Sequence, residues 1–196
     1  ASALPAGIIL ALGRRSKMTV IRVLCVAFIE LFRSVPLITI LFMATTMFPL
    51  FLPGGMVIDK LASAIVAVCL FAAAYMAEVV RGGLQAIPKG QYEAAEAVGL
   101  TYWQATVLIV MPQALKFMIP NIVGNFMGLL KDTTLVSIIG LYDLLGMINA
   151  VSHDPKWIGL HHEPLFTAAV IFFIGCFTMS KYSQHLERTL GAGNNR

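Results

Sequence analysis

Residues 91–112 read QYEAAEAVGLTYWQATVLIVMP. The Ala- and Glu-rich run from Gln91 to Val98 predicts a helix, with Pro88 and Gly90 opening the turn before it. Gly99 is placed to cap that helix in the left-handed conformation. Thr101, with Gln104 three residues on, is a capping-box pattern, so a second helix starts at once. The predicted unit is a short helix, a sharp glycine turn and another helix. Ala94 and Ala95 leave space for something to pack closely, and Glu93 and Glu96 fall on neighbouring turns of one face. Two readings fit this pattern: a solvated loop joining two flanking segments, or a docking knob for a partner.

What surrounds the stretch is far more apolar. Of 196 residues, 58% are hydrophobic and 12% charged, and the mean hydropathy is +0.82. So few charges cannot cover a soluble surface, which makes this an all-α integral membrane protein. Ten Met, twelve Phe and sixteen Gly suit helices packing in lipid. The net charge of +4 reflects topology and not nucleic-acid binding, because the basic residues cluster between apolar runs. Cys25, Cys69 and Cys176 lie inside apolar runs at no paired spacing, which argues against a disulfide framework or metal site. The chain opens on ASALPAGIILALG, an apolar run that looks cut short, and is expected to be the C-terminal part of a longer chain.

The apolar runs define the spans. Ala1 to Gly13 is the tail of a first one, and Thr19 to Phe51 is long enough to require bends, expected at Pro36 and Pro49. Leu61 to Ala77, Val107 to Leu130 and Leu165 to Ser180 follow. Residues 1–190 therefore form a single membrane domain of four full spans plus the end of a first, with a tail at 191–196. Arg14, Arg15, Lys17, Arg81, Lys89, Lys181, Arg188 and Arg196 fall in one alternating set of loops. Lys60, Lys131 and Lys156 fall in the other, among Asp59, Asp132, Asp143, Asp154 and Glu163. The first set is expected in the cytoplasm, with QYEAAEAVGL and the C-terminus. Asp143 is costly at the bilayer centre, so Thr133 to Val151 is expected as short helices near the outer surface or in a protein-lined cavity.

Polar residues inside the spans are candidates for a pathway. Glu30 and Arg33 share a helix face three residues apart, and Glu78 and Arg81 repeat the pattern at the inner end of the next span. Glu30 and Arg33 are read as the deeper pair. Asn121, Asn125, Lys131 and Asp132 lie on one helix towards its outer end. Each set has a purely structural alternative: an ion pair holding helix ends, or Asn hydrogen bonds to a neighbouring helix. The functional alternative is a cavity meeting a zwitterion, which needs partners for both charges once dehydrated. His153, Asp154, His161, His162 and Glu163 match no standard zinc spacing, and Trp157 reads as an interfacial anchor.

Glu93-Ala94-Ala95, then Gly99, Ile109 and Pro112, resembles the cytoplasmic signature of ABC importer permeases, E-A-A-x3-G-x9-I-x-L-P, with Met111 where Leu is usual. FIELFRSVPL (28–37), AYMAEVVRGGLQAIPKGQYEAAEAVGL (74–100), PQAL (112–115), LLKDTTLVSIIG (129–140) and SKYSQHLERTL (180–190) are similar to permeases of the polar amino acid uptake group, especially the broad-range L-amino acid ones. The resemblance runs nearly the full length. It implies a type I importer fold in a bacterial inner membrane. It also implies an ATPase subunit that engages Glu93, Ala94, Ala95, Glu96, Gly99 and Pro112, a second permease subunit, identical or homologous, and a periplasmic amino acid-binding protein. ATP and magnesium belong to the ATPase, since the chain has no G-x-x-x-x-G-K-[ST] of its own. The competing classes are a self-contained channel or secondary transporter, which favours an inverted repeat not found here, and an intramembrane enzyme. For the latter neither HExxH nor G-x-S-x-G is present.

Overall fold

The computed structural model describes residues 2–51, 53, 58–153 and 162–191. Its elements are α1 (Ala3–Arg14), α2 (Thr19–Ser34), α3 (Leu37–Phe42), α4 (Lys60–Gln85), α5 (Lys89–Ala97), α6 (Tyr102–Gln104), α7 (Met111–Asp132), α8 (Leu144–Ser152) and α9 (His162–Gly191). Among the described residues, three helical stretches are long and apolar enough to cross a membrane: Lys60–Gln85, Tyr102–Ile139 and His162–Thr189. Thr19–Ser34 and Leu37–Phe51 together pass as a fourth, although they are bent by 104°. The twelve-residue α1 is apolar and shorter than a span.

Proline chemistry explains the irregularities. Val35 is extended ahead of Pro36 (φ −107°, ψ 133°), as the residue before proline must be, and the chain turns there. At Pro49 there is no comparable break. Instead α3 widens into a π turn over Met43–Met47 and tightens to 3-10 over Phe48–Phe51. The same device precedes Pro112, whose ring would strike the carbonyl four residues back. The turn over Ala105–Val110 is π-helical, which accommodates the ring without a kink. The resulting stretch from Tyr102 to Ile139 has 38 residues, or ~57 Å at the helical rise, against a hydrocarbon thickness of about 30 Å. Both of its ends therefore protrude.

The centre of the bundle is α4. Its Ala64, Ala67, Ala72, Ala73, Ala74 and Ala77 are buried, and small side chains let neighbours approach closely. One core joins Ala11, Ile29, Ala77, Val80, Leu84, Val110, Ala114 and Met118. A second joins Leu37, Leu41, Ala64, Ala67 and Ile139. Contact between α1 and α4 depends on Gly7, where a Cβ would lie 2.6 Å from Met76 Cβ and 2.9 Å from Ala77 N. Backbone cannot yield as a side chain does, so Gly7→Val should cost about 1–3 kcal/mol or more. Thermal melting in detergent checks this against Gly124→Ala, whose added Cβ meets nothing within 4 Å. Equal melting of the two variants would contradict the packing.

Beyond α7 the chain makes a 3-10 turn over Thr133–Ile139, reverses at Gly140 (φ 79°) and enters α8. Asp143 is the N-cap of α8, with Oδ1 accepting from Gly146 N–H at 2.8 Å. This segment is the pair of short helices that its composition predicted, and Asp143 has a capping role there.

Candidate functional site

The helix–turn–helix unit forms as its sequence dictates. Gly99 has φ 79°, with its N–H on Glu96 O at 2.9 Å, and Leu100 N–H on Ala95 O at 3.1 Å. These are the two bonds of a Schellman cap. Next, Thr101 and Gln104 complete a capping box, with Thr101 N–H on Gln104 Oε1 at 2.9 Å. Glu93, Ala94 and Glu96 are exposed, whereas Ala95 is buried against the chain's own helices. The space expected beside the two alanines is therefore left by Ala94 alone. Pro112 is exposed at the start of α7.

Two attachments hold this knob to the bundle, and neither was read from the sequence. Tyr92 donates its hydroxyl to Leu84 O of α4 at 3.3 Å. Gln113 of α7 donates to Gln91 Oε1 and to Ile109 O, both at 2.9 Å. α5 is thereby tied to both long helices at once. Beside the glycine turn lies an apolar patch that was also missed: Val98, Tyr102 and Trp103 are 75%, 52% and 61% exposed. The two rings meet edge-on at 5.4 Å. Large apolar side chains in a charged, polar segment were the available signal.

The charged residues assemble differently from the pairs expected along each helix. Glu78 is the hub. Arg81 bonds it locally, Nε to Oε1 at 2.6 Å; Arg14 reaches Oε2 at 3.3 Å and Arg33 reaches it at 3.5 Å. Glu30 pairs with Arg14 at 3.5 Å and not with Arg33. The expected depth difference is absent, because one guanidinium, that of Arg14, touches both Glu30 and Glu78. Arg33 also lies over the Tyr75 ring, 5.8 Å from its centroid. Five residues from three helices thus make one cluster.

The second candidate group divides. Asn121, Asn125 and Asp132 line a cleft of about 380 Å³ between α4 and α7, with Gly124, Gly128 and Tyr75. Asn125 donates to Asn121 O of its own helix at 2.9 Å, and among the described residues neither Asn side chain bonds a neighbouring helix. Lys131 is exposed and outside the cleft. Gly124 and Gly128 have nothing within 4 Å of a notional Cβ, so their smallness leaves open volume. Of the outer-loop residues weighed for metal, Asp154 and His161 lie outside the described residues, as does Trp157. Among those described, no group of three ligating side chains gathers.

A bundle of membrane-crossing helices, with an exposed helix–turn–helix knob and a cleft lined by Asn121, Asn125 and Asp132, defines the class: a multi-pass membrane protein. Residues 3–191 match the family described as binding-protein-dependent transport system inner membrane component, and the chain belongs to it. It is 55% identical over 193 residues to the inner membrane amino-acid ABC transporter permease protein YhdY of Escherichia coli K12, covering 98% of this chain and 53% of that protein. It is also 55% identical over 188 residues to the glutamate/glutamine/aspartate/asparagine transport system permease protein BztC of Rhodobacter capsulatus, covering 95% and 43%. The chain spans about half the length of these relatives. A crystal structure of an amino acid ABC transporter with histidines superposes with a TM-score of 0.84 at 29% identity, covering 96% of this chain and 85% of that one. The fold is that of a type I importer permease.

Proposed function

We propose that the chain is the channel-forming part of an ATP-driven, binding-protein-dependent importer of amino acids. The observation that carries this reading is the exposed knob of α5 and Gly99, pinned through Tyr92 to α4 and through Gln113 to α7. Force applied to Glu93, Ala94, Glu96 and the Gly99 turn is transmitted to both long helices, and Pro112 stands where the knob joins α7. The ATPase is a separate subunit that brings ATP and magnesium, and no catalysis is assigned to this chain. A second permease subunit, identical or homologous, and a periplasmic binding protein complete the assembly. Charge asymmetry supports a cytoplasmic knob and C-terminus. The amino acid class is supported by what the relatives are named for.

Alternating access opens the cleft first to the binding protein and then to the cytoplasm. Asn121, Asn125 and Asp132 offer amide donors, amide acceptors and an anion to a zwitterion. Lys131 stands at the outer rim beside Asp132. Glu30, Arg33 and Glu78 are assigned to holding α1, α2 and α4 together at the inner end, instead of to contact with substrate.

The test is co-purification of the tagged, full-length protein from its own membranes, followed by reconstitution and uptake of labelled amino acids. Recovery of an ATPase subunit is expected; a chain that purifies alone and conducts without ATP would establish a self-contained channel or carrier. Gly124→Leu separates pathway from assembly. Its side chain fills the cleft, so uptake should fall tenfold or more, roughly 1.4 kcal/mol of lost transit, while ATPase recovery stays unchanged. Undiminished uptake removes the cleft from the pathway.

A further inference from the structure

A second cavity, of about 480 Å³, lies where the ends of α1 and α4 meet the start of α5. We propose that it binds a phosphate-bearing anion, with the headgroup of an anionic membrane lipid as the source. Its lining carries four cations, Arg14, Arg15, Arg81 and Lys89, and no carboxylate. Glu78 and Glu30 stand behind it and hold Arg14 and Arg81 in place. Two carboxylates leave the site with an excess of positive charge. Arg15 and Lys89 make no ion pair among the described residues. Arg15 is oriented instead by Tyr92, donating to its hydroxyl at 3.4 Å and lying over its ring 5.7 Å from the centroid.

The chemistry selects the ligand. Guanidinium forks match phosphate oxygens two at a time, and three of the four cations are arginines. Buried Leu84 and Ile87, 2% and 5% exposed, supply apolar wall beside the charges, which suits an amphiphile better than a free ion. The volume falls within the about 300–1,000 Å³ usual for small-ligand sites. On the orientation proposed above, the cavity opens at the cytoplasmic leaflet, where basic pockets between spans take lipid headgroups. General retention of cations on that side accounts for their number. It does not account for their convergence on one cavity around an oriented Arg15.

The experiment is native mass spectrometry of the delipidated full-length transporter complex. The probes are phosphatidylglycerol, phosphatidylcholine of the same chains, and inorganic phosphate as competitor. Phosphatidylglycerol should be retained in preference to phosphatidylcholine. Arg15→Gln with Lys89→Gln should weaken that retention about ten- to thirtyfold. Lys17→Gln with Lys181→Gln, an equal charge loss outside the cavity, should leave it nearly unchanged. Displacement by inorganic phosphate would make the headgroup phosphate sufficient for binding; resistance would show that the acyl-glycerol part contributes. Equal retention by the cavity variant, an equal loss in the control, or no preference for the anionic lipid overturns the proposal. Should the double variant fail to assemble, Lys89→Gln alone carries the same test with a smaller drop. The readout is binding, so failure here leaves the transport reading standing.

Discussion

On the proposed function, Gly99→Trp should leave the chain folded in the membrane and release the ATPase subunit from it. The backbone at Gly99 has φ 79°, where a Cβ costs about 1–2 kcal/mol against the neighbouring carbonyl. Nothing lies within 4 Å of that Cβ, so the substitution disturbs only the turn. Once φ relaxes, the bonds from Gly99 N–H to Glu96 O and from Leu100 N–H to Ala95 O are lost. α6 then leaves α5 in a new direction, and Val98, Tyr102 and Trp103 no longer present one surface with Glu93 and Glu96. Affinity purification should recover the variant at wild-type yield with little or no ATPase. Gly140 provides the internal control. It has the same φ, 79°, and the same kind of cap, Leu141 N–H on Val136 O at 3.1 Å, at the opposite end of α7. Gly140→Trp should disturb the outer segment and keep the ATPase. If both variants behave alike, the turn at Gly99 has no special role in docking.

What could be read ahead of the structure follows the range of the interactions involved. The Schellman cap and capping box are local, formed within six residues, so Gly99, Thr101 and Gln104 declared themselves. The long apolar runs did so too, because hydropathy is summed over a window; even so, α4 and α9 extend well past the apolar part of their spans, as Lys60–Gln85 and His162–Gly191. The ion cluster was invisible, since helical spacing pairs Glu30 with Arg33, while the contact that forms joins Arg14 to Glu78 across 64 positions. The contact depends on how α1 packs against α4, which helical spacing within one segment does not report. Asn121, Asn125 and Asp132 share one helix and line one cleft, and Lys131 lies outside it, because adjacent residues on a helix point apart. Gln91, Tyr92 and Gln113 were missed because a single tertiary hydrogen bond leaves no periodic mark.

The hub predicts a strong asymmetry between the two glutamates, with Glu78 and not Glu30 the one that matters. Glu78 has a side chain 20% exposed and touches Arg14, Arg33 and Arg81. Glu78→Gln leaves three guanidiniums facing one another, with Glu30 the remaining acid and Arg33 Nε already buried without a partner among the described residues. Removing one member of a buried pair costs about 3–5 kcal/mol; partial exposure reduces this to roughly 2–4 kcal/mol here. Glu30 is 56% exposed and makes one contact at 3.5 Å, so Glu30→Gln should cost at most about 1 kcal/mol. In a detergent melt of the assembled protein, Glu78→Gln should lower Tm by roughly 5–15 °C, and Glu30→Gln should hardly move it. Adding Arg81→Gln to Glu78→Gln should recover part of the loss, because it removes a cation that has lost its partner. Recovery is the discriminating result: a glutamate that mattered only for packing would show additive losses in the double variant. Equal melting of Glu78→Gln and Glu30→Gln would return both residues to the pathway, where a change in which amino acids are carried is the effect to measure.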